Sequence, residues 1–211
     1  MPLLKAGLVL VDYDTGAVQR LIALQYNPET LTRSLQVQGV GPESGPHVDQ
    51  MRLKGPPIET FKLEAILDAA DQLATGDPLA TASGVQPQLA ALETIIYPTS
   101  AQLQQGYALA QQGTLEIVPM DAPLVLFVWS KDRIVPVKVT ELSVTEEMFD
   151  SDLNPIRARV SLGLRVLTID DIDFGSVAGS IYLTYQQRKE QLAASAPGGS
   201  LVAFGINGIL S

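Results

Sequence analysis

Acidic side chains supply most of the residues in this 211-residue chain that could do chemistry. Asp170, Asp171 and Asp173 are close enough to offer oxygens to one hard cation. They lack the glycine and distal glutamate of an EF-hand loop, and the pattern favours a solvated connector. Glu146, Glu147 and Asp150 invite comparison with the paired acids of glycoside chemistry. Adjacent glutamates on a strand point to opposite faces, however, and cannot work as one acid/base pair. The single histidine, His47, sits in a Gly/Pro-rich stretch without the rigid support that a catalytic triad or zinc site needs. With no cysteine there is no thiol nucleophile, thiolate metal site or disulfide framework. Trp129 could be a sugar-stacking platform, but a core or interface anchor beside Phe127 is the favoured reading. Arg157, Arg159 and Arg165 share one strand face. They could meet phosphate, an acidic partner, the surplus acids of an adjacent copy, or only water. No phosphate-binding glycine loop, nucleophile elbow or metal-ligand spacing is found. The expectation is a protein without catalytic site, cofactor or metal.

The elements that would carry these residues are mostly strands. Residues 3–11, 18–26 and 31–37 read as a β-meander, with turns at Asp14-Thr15-Gly16 and at Asn27-Pro28. Residues 39–57 are dense in Gly and Pro and read as a long exposed loop that projects as a contact element. In residues 59–68, Phe61, Leu63, Ala65 and Leu67 recur with period two, the mark of a half-buried strand. Residues 69–84 are small and polar. Leu89, Leu92, Ile95 and Ile96 then fall at helical spacing behind Pro87, and the Gln-rich residues 100–114 read as a loop or mobile insertion.

The clearest strand text follows. LVLFVWS (124–130) is continuous apolar sequence, fit for a strand buried on both faces. In IVPVKVTELSV, Val135, Val137 and Val139 share one parity while Leu142 and Val144 share the other, which places an extra residue near Thr140-Glu141. Ala158, Val160, Leu162, Leu164 and Val166 alternate with the arginine face. Beyond residue 169 the text reads as an appendage: an acidic connector, a helix punctuated by Ile181, Tyr182, Tyr185 and Leu192, a flexible link at 196–200, and the apolar strip LVAFGINGIL containing Leu201 and Phe204. A strip that apolar should dock on its own domain or on a neighbour. Bent strands joined by short turns, with one helix, suggest a mainly β barrel or sandwich.

Composition narrows the function classes. Fourteen Lys+Arg against 23 Asp+Glu give a net charge of −9, which repels phosphate backbones and anionic lipid and argues against nucleic acid as a partner. The first apolar run is closed by Asp12 and Asp14, too soon to span a bilayer, and has no small-residue cleavage site. Synthesis in the cytoplasm without signal peptide or membrane insertion is expected.

Two stretches, IALQYNPETLTRS (22–34) and PLVLFVWSKDRIVPVKVTELSVTEEMFDSDLNPIRARVSLGLRVL (123–167), resemble the tube-type domain of contractile injection system tube and baseplate proteins. These belong to phage-tail-like particles related to type VI secretion systems. The likeness spans roughly residues 3–168 and lies in the order of its motifs: the Asn27-Pro28 turn, the Trp129 turn, the bulged strand ending at Phe149, and Asn154-Pro155-Ile156-Arg157-Ala158. It implies a β-barrel of the phage tail tube type with a flanking helix, a tube-type domain over 1–168 and a C-terminal helix and tail over 169–211. It further implies a bacterial structural protein forming a hexameric ring, a baseplate adaptor or tube initiator that joins the spike hub to the inner tube. Its partners would be other copies of itself, an inner tube protein, a spike or hub protein, and baseplate wedge or sheath proteins. Larger relatives carry a LysM-like module, but no Gly-Asp-Thr-Leu start is found in residues 168–211. Asn27, Pro28, Asn154 and Pro155 are then expected to be structural rather than catalytic. The competing class is a stand-alone carbohydrate- or peptidoglycan-binding module built on Trp129 and the 39–57 loop.

Overall fold

The structure, a computed structural model, describes residues 4–39, 52–111 and 123–205. His47 and most of the 39–57 loop lie outside the described residues. Seven strands, β1 (Gly7–Val11), β2 (Val18–Ala23), β3 (Leu31–Gln36), β4 (Ile58–Asp68), β5 (Leu124–Ser130), β6 (Arg133–Phe149) and β7 (Pro155–Val166), form one sheet. Their order is β2-β1-β5-β6-β7-β4-β3, and every adjacent pair is antiparallel. The fold is therefore mainly β with a flanking helix near the C-terminus, as the residues and the resemblance imply. Strands β2 and β3 are the two edges of the sheet.

Register explains the core. Phe61 and Leu63 on β4 face Leu164 and Leu162 on β7, while Phe127 on β5 faces Val135 on β6 and Leu8 on β1. These residues share one face, and all are buried in a single apolar cluster. The parity slip in β6 is a bulge. Val139 opposes Leu164 and Glu141 opposes Gly163, which leaves Thr140 as the unpaired residue. The opposing residue must be small, because a Cβ on Gly163 would lie 3.0 Å from the Glu141 Cβ and 3.2 Å from the Thr140 hydroxyl oxygen.

Helices α1 (Ala70–Ala74), α2 (Pro78–Ser83), α3 (Gln86–Glu93) and α4 (Ser100–Gln111) follow β4, and α5 (Val177–Ala194) follows β7. Asp77 caps α2 by accepting from the Ala80 N–H at 2.8 Å, which turns part of the small polar stretch 69–84 into helix. Helix α3 has the expected apolar face, with Leu89 and Leu92 in the core. The 100–114 segment read as a loop is corrected: its first twelve residues are α4. Its helix-forming Ala, Gln and Leu residues need no buried face, and none of them is buried.

The C-terminal helix is joined to the core rather than hung from it. Ala178, Tyr182 and Tyr185, at i, i+4 and i+7, belong to the same buried cluster as the sheet, and α5 packs against β6. Leu192, expected on that face, is exposed instead. A short 3-10 helix, Leu201–Phe204, ends the described chain. No helix of the described residues is long and apolar enough to cross a membrane.

Candidate assembly surfaces

Asn27 acts as a clasp. Its Oδ1 accepts the Ala6 N–H at 2.9 Å and its Nδ2 donates to the Leu4 carbonyl at 2.7 Å, tying the turn after β2 to the chain entering β1. Pro28, half-buried, follows it. Next to this clasp Gln25 exchanges two bonds with the Asp68 backbone, at 2.6 and 2.8 Å.

The second Asn-Pro turn closes the β6–β7 hairpin. The Asp150 carboxylate accepts the N–H groups of Asp152 and Asn154, each at 2.8 Å, and the Asn154 side-chain amide at 3.0 Å. Those bonds favour the ionised form and hold the Asp150 carboxyl below its ordinary pKa. On either side, Met148 and Leu153 take the left-handed conformation, with φ of 56° and 64°, and both side chains are exposed. Pro155 is buried, and its carbonyl accepts the Val85 N–H at 2.9 Å. Gly84, at φ +56°, has to be glycine there, since a Cβ would lie 2.1 Å from the Pro155 carbonyl oxygen. The helical segment is thereby tied to the start of β7.

Each of the three arginines has an acid within its own chain. Arg157 donates from Nε and Nη2 to the Asp68 carboxylate. Arg159 lies 3.8 Å from both Glu64 and Glu147, and Arg165 reaches Asp171 at 2.8 Å. Asp68 also accepts the Ala70 N–H at 2.8 Å; that bond, followed by the bond and charge of Arg157, holds its carboxyl below the ordinary value despite burial. Asp171 further accepts from the Thr168 N–H at 3.1 Å, and Asp173 from the Gly175 N–H at 3.1 Å. These two acids of the connector thus organise its turns. Among the described residues no group of His, Asp and Glu side chains is arranged to hold a metal.

Trp129, partly buried, packs with its ring 5.9 Å from Phe127, which in turn lies 5.4 Å from Phe61. Leu201 and Phe204 are exposed on the terminal 3-10 helix. Residues 206–211, the rest of the apolar strip, lie outside the described residues.

Sequence reasoning missed a buried polar joint. Glu59 on β4, 2% exposed, accepts the Tyr185 hydroxyl at 2.7 Å and Lys189 Nζ at 2.8 Å, while Arg33 on β3 lies 3.8 Å away. Lys189 also lies 3.9 Å over the Tyr185 ring centroid. Burial and the bond to Glu59 push the Tyr185 hydroxyl far above its ordinary pKa, so it stays a donor. At the other side of α5, Arg188 binds Asp132 in the β5–β6 turn, with its Nη2 at 2.7 Å. The period-two pattern of β4 puts Glu59 on the same face as Phe61, and that buried parity was the available signal.

The two edges remain open. Neither β2 nor β3 has a partner on its outer side among the described residues, and Val18, Leu21 and Leu35 beside them are exposed. One mainly β sheet with a bulged central strand and two edges unpaired among the described residues is the architecture that these elements define. Residues 9–171 match the contractile injection system tube protein family, and the chain belongs to that family. No curated protein matches the chain. Among solved structures, a chain from the tail of an empty GTA particle, computed with helical refinement in C6 symmetry, is 9% identical. That likeness covers 77% of this chain and 90% of the other, with a TM-score of 0.31, too slight to carry an argument. The chain is thus a tube-type protein of the contractile injection system class.

Proposed function

We propose that the chain forms a hexameric ring that joins the spike hub to the inner tube as a baseplate adaptor, holding register and transmitting thrust with no bond made or broken. The observation that carries this reading is the pair of open edges at opposite ends of one antiparallel sheet. An unpaired edge left exposed invites uncontrolled association, and natural proteins cover or pair it. Pairing β3 of one copy with β2 of the next would consume both edges, and six such steps close a ring. In this reading residues 1–168 carry the tube-type domain and 169–211 its extension, whose exposed Leu201 and Phe204 face a neighbouring ring or the baseplate wedge. Asn27, Pro28, Asn154 and Pro155 act as structural turns.

The test is electron microscopy of particles carrying a labelled subunit, together with native mass measurement of the purified chain. A six-copy ring between spike and tube is the expected result. Label found only along the sheath, or a purified chain that stays monomeric with its neighbouring proteins present, would overturn it.

A further inference from the structure

The arginine face of β7 opens onto a pocket of about 280 Å³ that the ring reading does not use. Register builds it. Asp68 on β4, Arg157 on β7 and Glu147 on β6 stand in one row across three strands, and Ile66 and Arg159 stand in the next row of the same face. Tyr26 completes the lining. Its neighbours Gln25 and Asn27 both bond to the backbone of other segments, so the chain carrying the Tyr26 ring is held before any ligand arrives. Tyr26 and Ile66 are 48% and 42% exposed and give the pocket an apolar surface. The polar groups around it are under-used. Arg159 lies 3.8 Å from Glu64 and from Glu147, beyond hydrogen-bond distance. Neither its guanidinium, nor the Glu147 carboxylate, nor the Tyr26 hydroxyl makes a hydrogen bond among the described residues. Arg157 commits Nε and Nη2 to Asp68, and its Nη1 is left for another acceptor.

We propose that this pocket binds one neutral sugar ring, either a free monosaccharide or the end unit of a glycan. Two guanidinium groups stand against two carboxylates in the lining, so neither an anion nor a cation gains from the net charge. Guanidinium groups only donate and ionised carboxylates only accept, and a ligand that satisfies both must offer acceptors and donors at close spacing. Vicinal hydroxyls do so at once. The C–H face of the ring lies on Tyr26 and Ile66, an amphipathic aromatic beside an aliphatic side chain. The volume is at the small end of ligand pockets, room for a single ring. Trp129, the aromatic that the sequence offers for sugar stacking, is not in the lining. The inference is independent of the ring reading, because it concerns a face of the sheet and not its edges.

Ligand-observed saturation-transfer NMR on the full-length chain, with glucose, galactose and mannose as probes, should show at least one of them binding with a dissociation constant of about a millimolar. Tighter binding of maltotriose or cellotriose than of glucose assigns the site to a glycan end, and equal binding assigns it to a free sugar. Arg159→Ala and Glu147→Gln should each weaken binding about tenfold, the scale of a hydrogen bond to a charged group, while thermal melting checks that both stay folded. Tyr26→Ala should lose as much, and Tyr26→Phe should keep most of the affinity. Trp129→Phe should leave it unchanged, and so should added salt, since the ligand carries no charge. No binding of any of these sugars, or binding that Trp129→Phe removes and Arg159→Ala spares, overturns the proposal. So does a pocket that takes inorganic phosphate or glycine and none of the sugars. None of these outcomes bears on whether six copies close a ring.

Discussion

The Glu59 joint under α5 and the Arg159 pairs of the β7 face use the same chemistry in different solvents. The Glu59 side chain is 3% exposed and held by a phenol and an ammonium group, whereas Arg159 is 52% exposed and its partners Glu64 and Glu147 are 63% and 36% exposed. Water screens the second set and replaces any lost partner, so it contributes little to stability. The first set has little water to fall back on, and removing one member strands the others. The arginine face therefore shapes the surface of the sheet, while the Glu59 joint fixes where α5 lies.

The sharpest way to break this comparison is Glu59→Ala. It should cost about 2–4 kcal/mol, a value reduced because Lys189 is 29% exposed and regains water. In a chain of this size that corresponds to a fall in Tm of roughly 5–15 °C. A loss no larger than that for an exposed arginine would show that burial does not separate the two sets. Asn27→Ala tests a neutral clasp and should cost about 1–2 kcal/mol in urea denaturation, since two bonds to the chain entering β1 are lost; an unchanged midpoint would remove its structural role.

Asp68 stands between the extremes, with an 11% exposed side chain against 45% for Arg157. Its folded pKa is depressed, so its stabilisation is complete above the ordinary carboxyl value of 3.8 and is lost as pH falls through the lower folded value. Asp68→Asn should cost about 1 kcal/mol at neutral pH and should flatten the acid limb of a melting-versus-pH profile; an unaltered limb would show that other carboxylates set it. Arg159→Ala should change stability by less than about 0.5 kcal/mol, and added salt should shrink the difference further. A larger loss in thermal melting would mean that the exposed ladder acts as a coupled network.

Legibility followed distance along the chain. The bulge at Thr140 could be read because one slip of parity is visible within a single strand, and β4 and α3 could be read from period alone. Helix α4 could not, because with no buried residue it leaves no periodic trace. The Glu59 joint was hidden for a different reason: its partners lie 126 and 130 residues away, and local pattern cannot show which polar residue a buried carboxylate will meet. The three arginines were found as a face, yet the sequence left open whether solvent, a ligand or another copy would neutralise them. Register sets Asp68 directly across from Arg157, whereas Arg165 meets Asp171 in the connector after β7, outside the sheet.

The strand order also bears on how the chain folds. Strands β5, β6 and β7 are consecutive hairpins and can form from local contacts, whereas β1 must find β5, with Val11 opposite Leu124, and Asp68 must find Arg157. Closing loops of that length comes before the contacts that reward it, so folding is slow for the chain's stability. The β5–β7 meander is then the template on which β1 and β4 condense, each carrying its own edge strand, β2 or β3, to the sheet.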